Sequence, residues 1–292
     1  MIAKKMTILI FKSDMKSVQD AIDKTPFQEC TASQSVSTGF VPVGVESKDL
    51  YKIFQNLLTF QYRIDSKSVP GSAVKSEFNK RQDLFRKNNG RKMAKAEKIE
   101  LKELIHKEML SRAIPSVYQM SGWFDFKQEL LVLQETSVGK VDQFISEILR
   151  RCIEISIQRI QTIQPPEQIL TQWVHDNSEP DGLTIDDSAK LEFREGGKAN
   201  LTNLDIKDSR VIDLLGMGGE CVELAMTMDD KTSFVVSKSM DFKKIKHLDQ
   251  DNSGNKDMDE EARLQAEMFL NAETSRLLSH RFINLFGGIR PS

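Results

Sequence analysis

The sequence predicts an α+β fold, with antiparallel sheets packed against helices and a basic helical hairpin projecting from them. Three observations carry this. Short β-rich runs open the chain at Met6 to Phe11 and return in its second half, where Cys221 to Met228 alternates. Helically spaced apolar residues fill the intervening stretches. Between Lys75 and Arg112 there is no proline and a single glycine, Gly90, so that segment is free to form long helices.

Met6 to Phe11 reads as the first strand. Ser47 to Phe60 carries Leu50, Ile53, Phe54, Leu57 and Leu58 at helical spacing, which predicts a helix. From Lys75 to Met109 the apolar residues are sparse but helically placed, and Asn88-Asn89-Gly90 interrupts them with turn chemistry. Two helices joined at that turn follow. Pro115 ends the second of them. Trp123 to Thr136 predicts two short strands turning near Gln128-Glu129, and Val141 to Ile153 a helix with Val141, Phe144, Ile145, Ile148 and Leu149 on one face. Ile155 to Ile163 reads as a strand, and Pro166 suits the first turn of a helix through Ile169, Leu170, Trp173 and Val174.

In the second half, Leu183-Thr184-Ile185 and Ala189 to Phe193 are strand-like, ending in a Gly196-Gly197 turn. Ser209 to Leu215 predicts a short helix stopped by Gly216, Gly218 and Gly219. Cys221 to Met228 turns at Asp229-Asp230-Lys231 into Phe234-Val235-Val236, and Phe242 to Leu248 is a further strand. A long amphipathic helix, Glu260 to Phe286, closes the chain. These elements suggest an N-terminal part of a sheet-and-helix domain (1–72), an inserted basic hairpin (73–114), the remainder of the first domain (115–176), and a C-terminal sheet domain with the terminal helix (177–292).

At 292 residues, 39 % hydrophobic and 29 % charged, the chain is long enough for two or three subdomains and ordinary enough in composition to bury a core. Cys30, Cys152 and Cys221 are far apart, without zinc-site or disulfide spacing, and fit a reducing cytosol. No window approaches the roughly 20 apolar residues of a membrane span, and the N-terminus lacks a signal-peptide core, so a soluble cytoplasmic protein is expected.

Few motifs point to catalysis. Asp249 to Glu260 supplies oxygen ligands at calcium-loop positions, but Lys256 occupies a normally apolar place and no helix is expected before it. The same residues also suit an acidic turn at the start of the last helix, where the dipole favours Asp259, Glu260 and Glu261. Asp125-Phe126-Lys127, Asp229-Asp230-Lys231 and Asp241-Phe242-Lys243 have the Asp-x-Lys form used in metal nucleases, a triplet that recurs by chance in a charged chain. His106, His175, His247 and His280 are isolated, and no phosphate-binding loop or nucleophile elbow is present. No cofactor, catalytic residue or metal ligand is therefore assigned.

The strongest signal is charge. Between Lys80 and Lys98 eight basic residues face two acids, Asp83 and Glu97, in a chain whose net charge is -2. Lys75, Lys80, Arg81, Arg86, Lys87, Arg91, Lys92, Lys95 and Lys98 are the candidate DNA-binding residues. Spread around the helices, they suit sequence-independent contact with backbone phosphates more than base reading. A base-stacking platform for single strands has only Phe78 and Phe85 to draw on.

The order of elements adds a resemblance. The opening strand, Cys30-Thr31-Ala32-Ser33-Gln34, Gly39-Phe40-Val41-Pro42, the basic hairpin ending Leu110-Ser111-Arg112-Ala113, Leu170-Thr171-Gln172-Trp173-Val174 and a last helix ending Leu285-Phe286-Gly287-Gly288 together resemble the bacterial recombination-associated protein RdgC family. The resemblance implies a ring-shaped homodimer around duplex DNA in the cytoplasm, on the nucleoid, which antagonises the recombinase by occupying its DNA. It also implies a dimer gate near Leu110, Arg112 and Ile114, where family members carry a phenylalanine in place of Ile114. A metal-dependent exonuclease and a scaffold whose basic arm meets an acidic protein are the alternatives.

Overall fold

Strand β1 (Met6–Lys12) is buried at Met6, Thr7, Ile8, Leu9 and Phe11, so both of its faces are covered. That explains its unbroken apolar run. A strand deep within a sheet has no solvent side to mark with polar residues. The structure, a computed structural model, describes residues 2–44, 47–151, 154–248 and 259–291. The predicted calcium loop, Asp249 to Glu260, lies almost wholly outside the described residues.

After β1 come α1 (Met15–Asp23), β2 (Val36–Val41), β3 (Tyr51–Phe54), β4 (Leu57–Ser66), α2 (Gly71–Asn89), α3 (Lys95–Arg112), β5 (Ser116–Asp125) and β6 (Leu130–Leu133). The chain continues through α4 (Val138–Arg151), β7 (Ser156–Arg159), α5 (Pro166–Asp176), β8 (Leu183–Phe193), β9 (Lys198–Leu201) and α6 (Ser209–Gly216). It ends with β10 (Gly219–Met228), β11 (Thr232–Ser237), β12 (Asp241–His247) and α7 (Glu260–Leu285). One sheet runs in the order β2-β4-β5-β6-β1-β12-β11-β10-β8-β9, with β3 on β4 and β7 on β1. The α+β class and the antiparallel pairing agree with the sequence expectation.

One expected helix is wrong. Ser47 to Phe60 is not a helix but holds β3 and β4, joined at Gln55-Asn56 with Gln55 in a left-handed turn conformation at φ 57°. Leu57, Leu58, Thr59 and Phe60 are all buried, and a strand covered on both faces yields apolar spacings that also satisfy a helical period. Leu183 to Phe193 is a single strand with irregular pairing rather than two. Sequence reading missed α1, β2 and β9.

The chain divides into two compact units, one of Met1–Ala21, Tyr51–Thr59 and Ser121–Ser292, the other of Ile22–Leu50 and Phe60–Met120. In the first, Trp173, Phe234, Phe242, Phe282 and Phe286 interlock with ring centroids 5.4 to 6.5 Å apart. This aromatic block seats α5 and α7 on the sheet, because edge-to-face rings gain beyond their buried area. Arg276 of α7 adds a polar pin, its Nε 2.6 Å from Oδ2 of the fully buried Asp125. Oδ1 of Asp125 in turn accepts from the amides of Lys127 and Gln128, fixing the β5–β6 turn.

In the second unit Phe40, Phe60 and Tyr62 pack edge to face, and Arg63 pairs bidentately with buried Asp65. Gly39 lets two backbones meet there. A Cβ at Gly39 would lie 2.5 Å from Phe27 N and 2.8 Å from the Pro26 carbonyl carbon. Backbone cannot swing aside as a flexible side chain can. Gly39→Ala is expected to destabilise the protein by about 1–3 kcal/mol, read as a lower denaturant midpoint.

Candidate nucleic-acid interface

The basic hairpin forms as two helices. At 1.5 Å per residue, α2 and α3 are each roughly 27 Å long. Gly90 ends α2 at φ 63°, with its N–H donated back to Arg86 O, a left-handed cap that glycine adopts without penalty. Glu97 starts α3, its carboxylate accepting the Ala94 amide at 2.7 Å. Phe78, Ile105 and Leu110 are the buried residues of these two helices. Most other positions are exposed, as expected of a pair with few apolar residues to bury.

Two of the nine predicted cations are already committed. Arg81 bridges the helices, with Nε 2.8 Å from Glu77 Oε1 and Nη2 2.6 Å from Glu108 Oε2, which holds its guanidinium even more firmly protonated. Arg91 reaches Glu97 at 2.6 Å and lies over the Phe85 ring, 4.9 Å from its centroid. Hydrogen bonds from Arg91 and from the Ala94 amide hold the Glu97 carboxyl down to about 2. These two arginines organise the hairpin more than they offer charge. The other seven make no ion pair among the described residues. Lys75, Lys80, Arg86, Lys87, Lys92 and Lys95 are exposed and Lys98 is half-buried.

Four of the exposed cations, Arg86, Lys87, Lys92 and Lys95, fall within ten residues around the turn. Such a cluster can cover several phosphates at once, and each neutralised phosphate releases a condensed counterion. At the end of α3 the predicted gate residues separate. Leu110 is buried, whereas Arg112 is exposed and Ile114 is 90 % exposed. It is one of several exposed apolar side chains, Leu104 and Val117 among them.

The Asp-x-Lys aspartates do not converge. Asp125 is bound to Arg276, Asp241 accepts from Thr7 Oγ1 at 2.6 Å, and Asp229 and Asp230 form an exposed hairpin turn at φ 50° and 55°. Among the described residues no group of three or more His, Cys, Asp or Glu is placed to hold a metal ion. Burial pushes the Cys221 thiol up to about 12, which leaves it unreactive, and lowers His247. Cys30 is half-buried, and Cys152 lies outside the described residues. No described helix is long and apolar enough to cross a membrane.

Sequence reasoning missed a second basic surface, on the sheet of the first unit. Lys198 and Lys238 both bind Glu192, at 3.0 and 2.7 Å, and Lys190 and Lys243 both approach Glu223, at 3.5 and 3.0 Å. Lys244 and Lys246 are exposed and make no ion pair among the described residues. Three lysines within four residues, at 243, 244 and 246, were the signal.

The family model described as "Putative exonuclease, RdgC" matches residues 2–289. Curated relatives named Recombination-associated protein RdgC include one from Psychromonas ingrahamii, 24 % identical over 283 residues, covering 95 % of this chain and 94 % of the relative. Another, from Janthinobacterium sp., is 25 % identical over 280 residues, covering 93 % and 92 %. A third, from Shewanella sp. strain MR-4, is 24 % identical over 288 residues, covering 97 % and 95 %. With the family model matching residues 2–289 and relatives covered over nearly their whole length, the chain belongs to the RdgC family of recombination-associated proteins.

Proposed function

We propose that the protein is a non-enzymatic, sequence-indifferent DNA-binding protein that acts as a homodimer encircling duplex DNA. By occupying DNA it limits access of the homologous-recombination recombinase, in the cytoplasm and on the nucleoid. The observation that carries this reading is the group of cations around the hairpin turn that make no ion pair among the described residues, on a chain whose net charge is -2. Charge gathered at one place gives salt-dependent affinity for a polyanion without making the rest of the surface adhesive. The names of the relatives support the link to recombination. The proposed contact between two copies at Arg112 to Ile114 follows from the family resemblance, with exposed Ile114 accessible to it.

The family description favours one other reading, a DNA exonuclease. Against it stand the commitments of Asp125 to Arg276 and of Asp241 to Thr7. Binding to linear and closed-circular duplexes across a salt series, with magnesium present, tests both. The expected result is intact DNA, affinity falling steeply with salt, and slower dissociation from circles than from linear molecules with free ends. Shortened DNA would establish the exonuclease instead, and no binding at low salt would leave the basic hairpin to an acidic protein partner.

A further inference from the structure

The outward face of the β8–β12 part of the sheet holds a cavity of about 260 Å³, lined by Lys190, Lys243, Lys244, Glu223, Asn200 and Thr202 among others. Consecutive residues of a regular strand point to opposite faces. Lys243 and Lys244 nevertheless line the same cavity. The reason is a bulge. Between Ser233↔Lys246 and Val235↔Lys243, β12 spends one residue more than β11, and Lys244 takes a left-handed φ of 52°. Two further irregularities border the same place: β10 slips between Cys221 and Glu223, and β8 slips opposite Leu224 to Met226. Bulges re-aim side chains, and a lysine held at positive φ is a costly way to aim one.

The charges inside do not balance. Lys190 and Lys243 approach the same Glu223 oxygen, at 3.5 and 3.0 Å, and Lys244 makes no ion pair among the described residues. Three ammonium groups thus face one carboxylate. Thr202, Asn200 and Ser188 add hydrogen-bonding groups, and Ala189, Leu201 and Val235 are the apolar residues of the lining. No aromatic ring lines the cavity, and its volume is below that of ordinary drug-sized sites, so a stacked nucleobase is a poor fit.

We propose that this cavity is an anion site for one or two linked phosphoryl groups, built by the sheet bulges and separate from the hairpin. The inference does not depend on the DNA reading. Two sources offer the same chemistry, a nucleic-acid phosphate and a free pyrophosphate-like anion.

The test is thermal unfolding of the full chain titrated with inorganic pyrophosphate, against potassium chloride at matched ionic strength. The wild-type Tm is expected to rise with pyrophosphate beyond the salt control. Lys244→Gly removes one ammonium group and relieves the left-handed backbone, so it should raise the starting Tm while weakening pyrophosphate binding about tenfold or more. Lys243→Ala with Lys244→Gly should abolish the shift. Absence of a specific shift in wild type, or an unchanged pyrophosphate affinity in Lys244→Gly, overturns the proposal. A short duplex that displaces pyrophosphate would identify nucleic-acid phosphate as the occupant, and simultaneous binding would identify the free anion; both uphold the site. Neutralising the hairpin cations should leave pyrophosphate binding intact, so failure of this site and failure of DNA binding are read separately.

Discussion

Alanine at Arg86, Lys87, Lys92 and Lys95 together is expected to lower affinity for duplex DNA roughly 10²–10³-fold near 0.15 M salt, and to flatten the slope of log K against log salt by about 3.6 for each protomer whose hairpin contacts the DNA. All four side chains are exposed and make no ion pair among the described residues, so their removal breaks nothing in the fold. The salt slope is the decisive readout, because it counts phosphates neutralised rather than merely recording weaker binding. Arg81→Ala gives the contrast. Its guanidinium is already spent on Glu77 and Glu108, so that variant should loosen the hairpin and leave the slope nearly unchanged. Fluorescence anisotropy over a salt series measures both. An unaltered slope in the fourfold variant would remove the hairpin from the binding surface.

Arg276→Ala is expected to cost about 3–5 kcal/mol of stability, the usual penalty for stranding a buried charge. Asp125 is 0 % exposed, and its Oδ2 relies on Arg276 Nε at 2.6 Å. Without that partner the carboxylate stays in the interior with only the Lys127 and Gln128 amides on its other oxygen. For a chain of this size the loss corresponds to a fall in Tm of about 5–8 °C. Changing both partners, Asp125→Asn with Arg276→Met, should recover most of it, since no ion is then left buried. Calorimetry of the two variants distinguishes an uncompensated charge from simple loss of packing. Equal destabilisation in both would refute the electrostatic account.

The hairpin was legible because its signals are local. Asn88-Asn89-Gly90 marks the turn, the absence of proline permits the helices, and the charge surplus needs only counting. What those charges do was not legible. Arg81 meets Glu108 across 27 residues, and nothing in spacing separates an arginine that holds two helices together from one that faces solvent. Ser47 to Phe60 failed for a different reason. Leu50, Ile53, Phe54, Leu57 and Leu58 satisfy a helical period, yet the turn at Gln55 places the later pair in a strand buried on both faces. The lysine cavity on the sheet lay furthest from view. It brings Lys190 and Lys243 to one Glu223 oxygen across two intervening strands, and a one-residue bulge decides which way Lys244 points.

The place of β1 also bears on how the chain is made. Its partners are β6, β7 and β12, and Thr7 hydrogen-bonds Asp241, 234 residues further along. At translation rates of about 5–20 residues per second, Thr7 leaves the ribosome roughly 10–50 s before Asp241 exists. During that interval the nascent chain carries an apolar ribbon, Met6 to Phe11, whose far-downstream mate has not been synthesised. Chains released before β12 is translated keep that ribbon partly unmated, a template for association with other nascent chains. Only the ribbon's Met6–Thr7 end waits that long, because β6 and β7 supply partners for Thr7 to Lys12 once residue 159 has been made.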